Sequence, residues 1–482
     1  MAVALGTLGI MLCSMQALAA EPAGAAATAG PGVSEPDAGS PSEPPFAGNP
    51  ELKARLDLPG KLTVAGERMH EQLLRRFYAA YGYQTIWTGR SAEASQLWNA
   101  VQRTGDQGLD PSLFHSTAII ERGPTLSPVE RDLLLSDAFL SYADALSRGA
   151  MPIEDRADDE DLTPEPVDIV GVLDAAIASP NPAQLIEALA PSSPEYAAMR
   201  GAYAEYRAML ETVSPMRASD ARKKPERRPP EGRAAAEKRV RQLAVNLERL
   251  RWLPRIIPPD RVIVNAAIAR LQLIRDNRPV FTTRVVVGET DKQTPEFQST
   301  INDILFNPPW NVPRSIAQKE ILPRLAADPD YLSHHHMRWR SGGAIQQEAG
   351  PYSALGRLKF EMTDRYDVYL HDTPLKSLFQ SATRLMSHGC VRVENPRVLA
   401  ALLLEQSPEA IDKGIAAGST NRRPLPTPLP IFIVYQTAFV ESDGSLQLHS
   451  DPYDRDDEIW QHLTRSQQPP LAQDVAASQR KG

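Results

Sequence analysis

RVIVNAAIARLQLIRD, residues 261–276, runs straight into NRPVFTTRVVVGE, residues 277–289, and together they decide how the second half of this chain is read. Valine, isoleucine and leucine cluster in short runs separated by Asp, Pro and Gly, the texture of strands rather than of helices. Working outward, NDILFNPPWNVP (302–313), LKFEM (358–362), DVYLHDT (367–373) and LPIFIVYQTAFVESDGSLQLH (429–449) share it. From about residue 260 onward they predict a β-sandwich or a barrel-like domain. Two helical segments interrupt it, SIAQKEILPRLAADPDYL (315–332) and a helix opening at Asn395-Pro396 with VLAALLLEQ behind it. Asn suits an N-cap and Pro the first helical position, so that helix begins just after the segment carrying Cys390.

Upstream the texture is helical. LTVAGERMHEQLLRRFYAAYGY (62–83), VERDLLLSDAFLSYADALSRGA (129–150) and PEYAAMRGAYAEYRAML (194–210) space their apolar residues for helix faces, and no convincing strand run appears between 51 and 213. The acidic insert EDRADDEDLTPEPVD (154–168) reads as a solvated loop, since no ligand-spaced motif marks it as a cation site. Residues 214–236 form a basic, Pro-rich linker; the alternative is a patch for an anionic polymer or lipid headgroup. The helix KRVRQLAVNLERLRWLP (238–254) follows and stops at Pro254. The overall expectation is an α+β chain, with an all-α domain over 51–213 and a β-rich domain over 237–465.

At the start, residues 1–20 are apolar, short for a membrane span and closed by small residues, as in a secretory signal peptide. Contact with a membrane is expected only if that leader is retained. Residues 21–50 read as a Pro/Ala-rich tether and 466–482 as a polar tail. The 482 residues suffice for two domains with a large core, and a net charge of -8 argues against a nucleic-acid partner. The chain has two cysteines, and Cys13 lies in the leader. An exported chain would therefore keep Cys390 alone, in a compartment where structural cysteines come in pairs. A lone thiol there reads as a reactive one.

Cys390 sits in SATRLMSHGCVRVENP (381–396). A free thiol has a pKa of about 8.5, so a nucleophilic cysteine needs an activating neighbour. His388 would share its face on a strand, and His371 closes an upstream strand that a turn and short helix could bring alongside. Gly389 permits a positive φ or close backbone approach. The amides of Gly389 and Cys390 are candidates to face an oxyanion, and the planar fork of Arg392 suits a substrate carboxylate.

SHGCVRV resembles the signature of the L,D-transpeptidases, whose catalytic domain is the β-rich YkuD type. YLHDTPLKSLF, VVVGETDKQTPEF, FNPPWNVPRSIAQKEILP, GPYSALGRLKF and NLERLRWLP are similar to segments of the long, YcbB-like branch. FYAAYGYQTIW and GLDPSLF are similar to its helical scaffold domain. The resemblance implies Cys390 as nucleophile, His371 as general base, His388 and Gly389 as shapers of the oxyanion site, and Arg392 as an orienting group. It places Tyr369, Trp310, Asp372 and Ser387 around the substrate and a helical capping lid over about 315–356. It implies no cofactor, and as partners the peptidoglycan stem peptides that give and accept the acyl group, with periplasmic cross-linking and acylation by carbapenems. One departure is evident: residues 214–236 are too short for the branch's peptidoglycan-binding module. SHHHMRWR (333–340) is not expected to bind metal, because three adjacent histidines cannot all face one side of regular structure.

Overall fold

The computed structural model describes residues 48–212 and 232–464. The leader, nearly all of the tether, the basic linker up to residue 231 and the tail lie outside the described residues. Among those described, no helix is long and apolar enough to cross a membrane.

The helical domain packs around one long helix, Pro128–Arg148. Ser127 and Glu130 form a reciprocal capping box at its start, Pro128 takes the first position, and Gly149 at φ 97° ends it. A Cβ at Gly149 would fall 2.5 Å from Glu248 Oε1, so only glycine lets this helix end so close to the next domain. The helices Glu71–Ala80, Ser91–Gln102 and Ile169–Ile177 lay Leu74, Phe77, Leu97, Val101 and Leu173 against its buried face. Each such fully buried Leu or Phe contributes about 1.5–3 kcal/mol relative to exposure. The segment 62–83 is not one helix. Ala65 and Gly66 both take positive φ, closing a two-residue turn between the strands Thr63–Val64 and Glu67–Arg68, and the helix starts only at Glu71.

The helix Arg233–Arg251 starts inside the stretch expected as linker and forms a spine between the domains. On one side Glu248 accepts from the Met151 amide at 2.9 Å and Arg251 donates to the Tyr196 hydroxyl at 3.1 Å. On the other, Asn246 and Gln242 bond Thr437. Its buried polar groups therefore face named partners in both domains.

The β-rich domain is built on a nine-stranded sheet, its strands numbered here β1 Arg261–Asn265, β2 Arg270–Arg275, β3 Arg278–Gly288, β4 Phe297–Phe306, β5 Leu358–Met362, β6 Leu370–His371, β7 Leu385–Ser387, β8 Val391–Val393 and β9 Asn421–Val434. Their order is β7-β3-β8-β6-β5-β4-β9-β1-β2, and β2 also pairs with β3. The circuit closes on itself, which makes the fold barrel-like rather than a sandwich and removes most sheet edges. Val285, Val287, Leu358, Phe360, Leu370, Val391 and Val393 fill one buried core. The helix Pro396–Leu404 follows β8 with Pro396 at its first turn, but Asn395 does not cap it; its amide bonds Thr283 Oγ1 at 3.0 Å instead.

Residues 310–347 build a small unit of their own. Short helices between Arg314 and His334 stand beside a three-stranded sheet of Trp310–Asn311, Ile345–Gln347 and Met337–Trp339. Val312, Ile321, Leu332 and Ile345 form its separate core, so the cap is helix and sheet rather than purely helical. Its three histidines diverge: His336 stacks on Tyr352, His335 lies against Tyr331, and His334 pairs with Asp328.

The acidic insert is solvated only in part: Glu154, Asp155, Asp158, Glu165 and Asp168 are exposed, but its middle is not. Glu160 is 5% exposed and Arg156 8% exposed. The Arg156 guanidinium sits 4.0 Å over the Trp252 ring and donates to the carbonyls of Met151 and Leu162. Asp159 and Glu160 meet Arg455, which approaches from the far end of the chain. Charge density alone suggested solvent; a partner distant in sequence made burial possible.

Candidate active site

Strand pairing assembles the site. β6 runs parallel to β8, with Leu370 opposite Val391 and His371 opposite Arg392. Leu370 and Val391 face the core, so period-two alternation turns Tyr369, His371, Cys390 and Arg392 to the other face. β5 adds Lys359, which stands opposite His371 and places its ammonium 4.0 Å over the Tyr369 ring.

His371 is 4% exposed. Its Nδ1–H donates to the Asp372 carbonyl at 2.5 Å, which leaves Nε2 as an acceptor toward the cleft. Burial, with Arg392 and Lys359 adding positive charge nearby, pushes its pKa down to about 3. The imidazole is neutral across the physiological range. Burial likewise raises the pKa of the half-buried Cys390 thiol, opposed by hydrogen bonds from Tyr369 and by Lys359 and Arg392. The resting pair is thus a neutral thiol and a neutral imidazole. Sγ contacts the Asp367 carbonyl at 3.9 Å, and no hydrogen bond joins it to His371 among the described residues.

The turn before Cys390 is held from inside. Gly389 takes φ 105°, a conformation that favours glycine. Ser387 Oγ donates to the Cys390 carbonyl at 2.6 Å and accepts from the Gly389 amide at 3.2 Å. Of the two amides expected at the oxyanion, that of Gly389 is therefore already used. The Cys390 amide makes no hydrogen bond among the described residues. Ser387, 1% exposed, shapes this turn and does not line a substrate cleft. Asp372 is also not free for substrate: its carboxylate accepts from the amides of Arg357 and Thr373 and from Lys376.

His388 turns away from the thiol toward the cap. Its Nε2 lies 2.5 Å from Glu320 Oε1 and 2.9 Å from Lys292 Nζ. Glu320 belongs to a π-helical turn, Ala317–Ile321, in the cap. Trp310, at the other end of the cap, lies close enough to the Tyr369 phenol to oppose the rise in its pKa that burial causes. Arg392 makes no salt bridge among the described residues, and its guanidinium interacts electrostatically with Cys390 and Glu289. Lys359, Lys292 and Glu320 were not singled out from sequence. Strand alternation in LKFEM could have found Lys359; nothing local distinguishes the other two.

Comparison with known proteins bears on both domains. Residues 259–411 match the L,D-transpeptidase catalytic domain of the YkuD family, and residues 72–202 match the Scaffold domain. A Haemophilus influenzae protein named "Putative L,D-transpeptidase" is 28% identical over 417 residues, covering 80% of this chain and 78% of that one. Among solved structures, an L,D-transpeptidase from Mycobacterium smegmatis is 14% identical, with a TM-score of 0.20 over 36% of this chain. This chain spans 58% of that enzyme's length. The catalytic domain of an Enterococcus faecium L,D-transpeptidase acylated by ertapenem is 10% identical, with a TM-score of 0.21 over 37% of this chain and 98% of its own. The chain joins a Scaffold domain to an L,D-transpeptidase catalytic domain of the YkuD type.

Proposed function

We propose that this protein is an exported, periplasmic peptidoglycan L,D-transpeptidase that links stem peptides through a thioester on Cys390. The observation carrying the reading is the placement of a tautomer-fixed, neutral His371 on the strand beside Cys390, both facing away from the core.

Because thiol and imidazole both rest neutral, the thiol loses its proton during attack rather than before it. Sγ adds to the carbonyl at the L-centre of diaminopimelate while His371 Nε2 takes the thiol proton. The oxyanion that forms is met by the free Cys390 amide. On collapse the C–N bond to the terminal D-residue breaks, and the imidazolium returns its proton to the departing amine. A stem-peptide amine then adds to the thioester, His371 accepts its proton, and the sulfur leaves and is reprotonated. Arg392, held in no salt bridge among the described residues, is available to hold a substrate carboxylate. The cap, tied to the site through Trp310 and His388, screens the thioester from water.

The test is incubation with a purified disaccharide-tetrapeptide and mass spectrometry of the products. Cross-linked dimers support the reading. A trimmed monomer would make the protein an L,D-carboxypeptidase or amidase, and no product would leave a wall-binding protein. Fragmentation of the dimers separates links between two diaminopimelates from links between L-Ala and diaminopimelate.

A further inference from the structure

The acidic segment of the helical domain reaches the nucleophile's turn through a continuous set of contacts. Its backbone joins the loop before β4: the Asp161 amide donates to the Glu296 carbonyl at 2.8 Å, and the Glu296 amide donates to the Asp159 carbonyl at 2.7 Å. Arg455, 6% exposed, gathers the side chains. Its Nη1 bonds Glu296 at 3.1 Å and lies 3.7 Å from Glu160, its Nη2 bonds Asp159, and its Nε donates to Gln293 Oε1 at 2.8 Å. Residue 294 carries the contact onward. Thr294 Oγ1 accepts from the Gly288 amide at 2.9 Å and donates to the Gly389 carbonyl at 2.8 Å. The Gln293 backbone itself abuts the turn, since a Cβ on Gly389 would sit 3.4 Å from the Gln293 carbonyl oxygen.

That last hydrogen bond has a directional consequence. The Gly389 carbonyl and the Cys390 N–H belong to one planar trans peptide and point in opposite directions. Whatever fixes the carbonyl fixes the amide. We propose that Arg455 is a positioning residue for acyl transfer: it fastens the helical domain to Gln293 and Thr294, and through the Gly389 carbonyl it aims the Cys390 amide at the oxyanion. The inference rests on the proposed acyl-transfer reading for its purpose, and on the contacts above for its substance. It gives the helical domain a role in chemistry it does not touch.

Arg455→Gln would leave Asp159, Glu160 and Glu296 short of positive charge and risks misfolding. The decisive variants are therefore Gln293→Ala, which cuts the link without altering charge, and Thr294→Val with Thr294→Ser as its conservative rescue. Two reactions are followed at the Cys390 peptide of the full chain by mass spectrometry: alkylation by iodoacetamide and acetylation by p-nitrophenyl acetate. Only addition to the carbonyl develops an oxyanion, so only acetylation needs an aimed amide. Thr294→Val is expected to slow acetylation by at least about tenfold, against the 10²-fold to 10³-fold typical of losing a whole oxyanion donor. Alkylation should hold at the wild-type rate, Thr294→Ser should restore acetylation, and Gln293→Ala should slow it by a smaller factor. Parallel loss of both reactions in Thr294→Val, or unchanged acetylation in Gln293→Ala, overturns the proposal. Because neither probe is a muropeptide, a wild type that makes no dimers would refute the proposed function while leaving this test decisive.

Discussion

Two buried histidines, one in each domain, rest in different charge states, one cationic and one neutral. His115 of the helical domain is 1% exposed and lies between Asp137 and Glu67, at 2.6 and 3.3 Å. Burial alone would lower its pKa, but the bonds to the two carboxylates outweigh it and raise the pKa to about 9. His371 is similarly buried, but its charged neighbours are Arg392 and Lys359, and its pKa falls to about 3. Asp137, which also holds His70, is kept well below the carboxylate range by the two imidazoles despite its burial. Burial drives both imidazoles toward the neutral form, and only at His115 do neighbouring carboxylates outweigh it. The cationic one ties three segments of the helical domain together. The neutral one is left able to accept a proton.

The sharpest way to break this contrast is to remove each imidazole's function separately. His371→Ala should lower turnover by about 10²-fold to 10⁴-fold, as loss of a general base does, with little change in unfolding midpoint. Asp137→Ala should do the reverse, costing about 3 kcal/mol because it takes the nearer carboxylate from the buried His115 cation, with turnover per folded molecule unchanged. Urea unfolding and muropeptide kinetics on the same samples read both.

A second test uses pH. His115 has its pKa raised above the unfolded value of about 6.5. Its stabilising contribution is complete below that pH and is lost as pH rises through about 9. His371 has its pKa lowered, so the unfolded chain binds its proton more tightly. Stability is therefore lost as pH falls from about 6.5 toward 3. In urea midpoints measured against pH, His115→Gln should flatten the alkaline limb and His371→Gln the acid limb. An exchange of those two effects would contradict the charge assignment.

The buried clasp gives a smaller effect of the same kind. Glu160 is pushed up to about 7 by burial and by Glu296. A raised carboxyl binds its proton more tightly in the folded chain, so stability falls as pH rises from about 4.5 to 7. Glu160→Gln should remove that slope, read as unfolding midpoints at pH 5 and pH 8.

The smallest effect is expected at the cap. Glu320 and His388 are each about one-third exposed, and partly exposed pairs of this kind contribute roughly 0–1 kcal/mol. Glu320→Gln should leave unfolding unchanged while making muropeptide turnover less sensitive to salt. A large shift in unfolding midpoint would show that the cap is bound by more than this ion pair.

Much of this architecture was legible because its causes are local. Short apolar runs punctuated by Asp, Pro and Gly in RVIVNAAIARLQLIRD and PVFTTRVVVGE marked β1 to β3, and Pro396 marked the helix after Cys390. Cys390 and the histidine of DVYLHDT were visible as chemistry; β6–β8 pairing sets His371 opposite Arg392, two residues beyond Cys390. What escaped notice depends on partners far along the chain. Asp159 and Glu160 looked solvated because Arg455 lies almost 300 residues away. Ser387 and Asp372 looked like substrate contacts because nothing local shows that their oxygens are used within the fold. Ala65-Gly66 broke an apparent helix through backbone conformation, which apolar spacing does not encode.

The central claim, that a neutral Cys390–His371 pair forms an acyl-enzyme, is tested most directly by trapping it. The full chain is mixed with a carbapenem, and intact mass and peptide mapping are read for wild type, Cys390→Ala and His371→Ala. The account predicts one adduct per wild-type chain, on Cys390. It predicts none in Cys390→Ala, and in His371→Ala formation slowed by about 10²-fold or more. An adduct in Cys390→Ala, or undiminished acylation in His371→Ala, would contradict it.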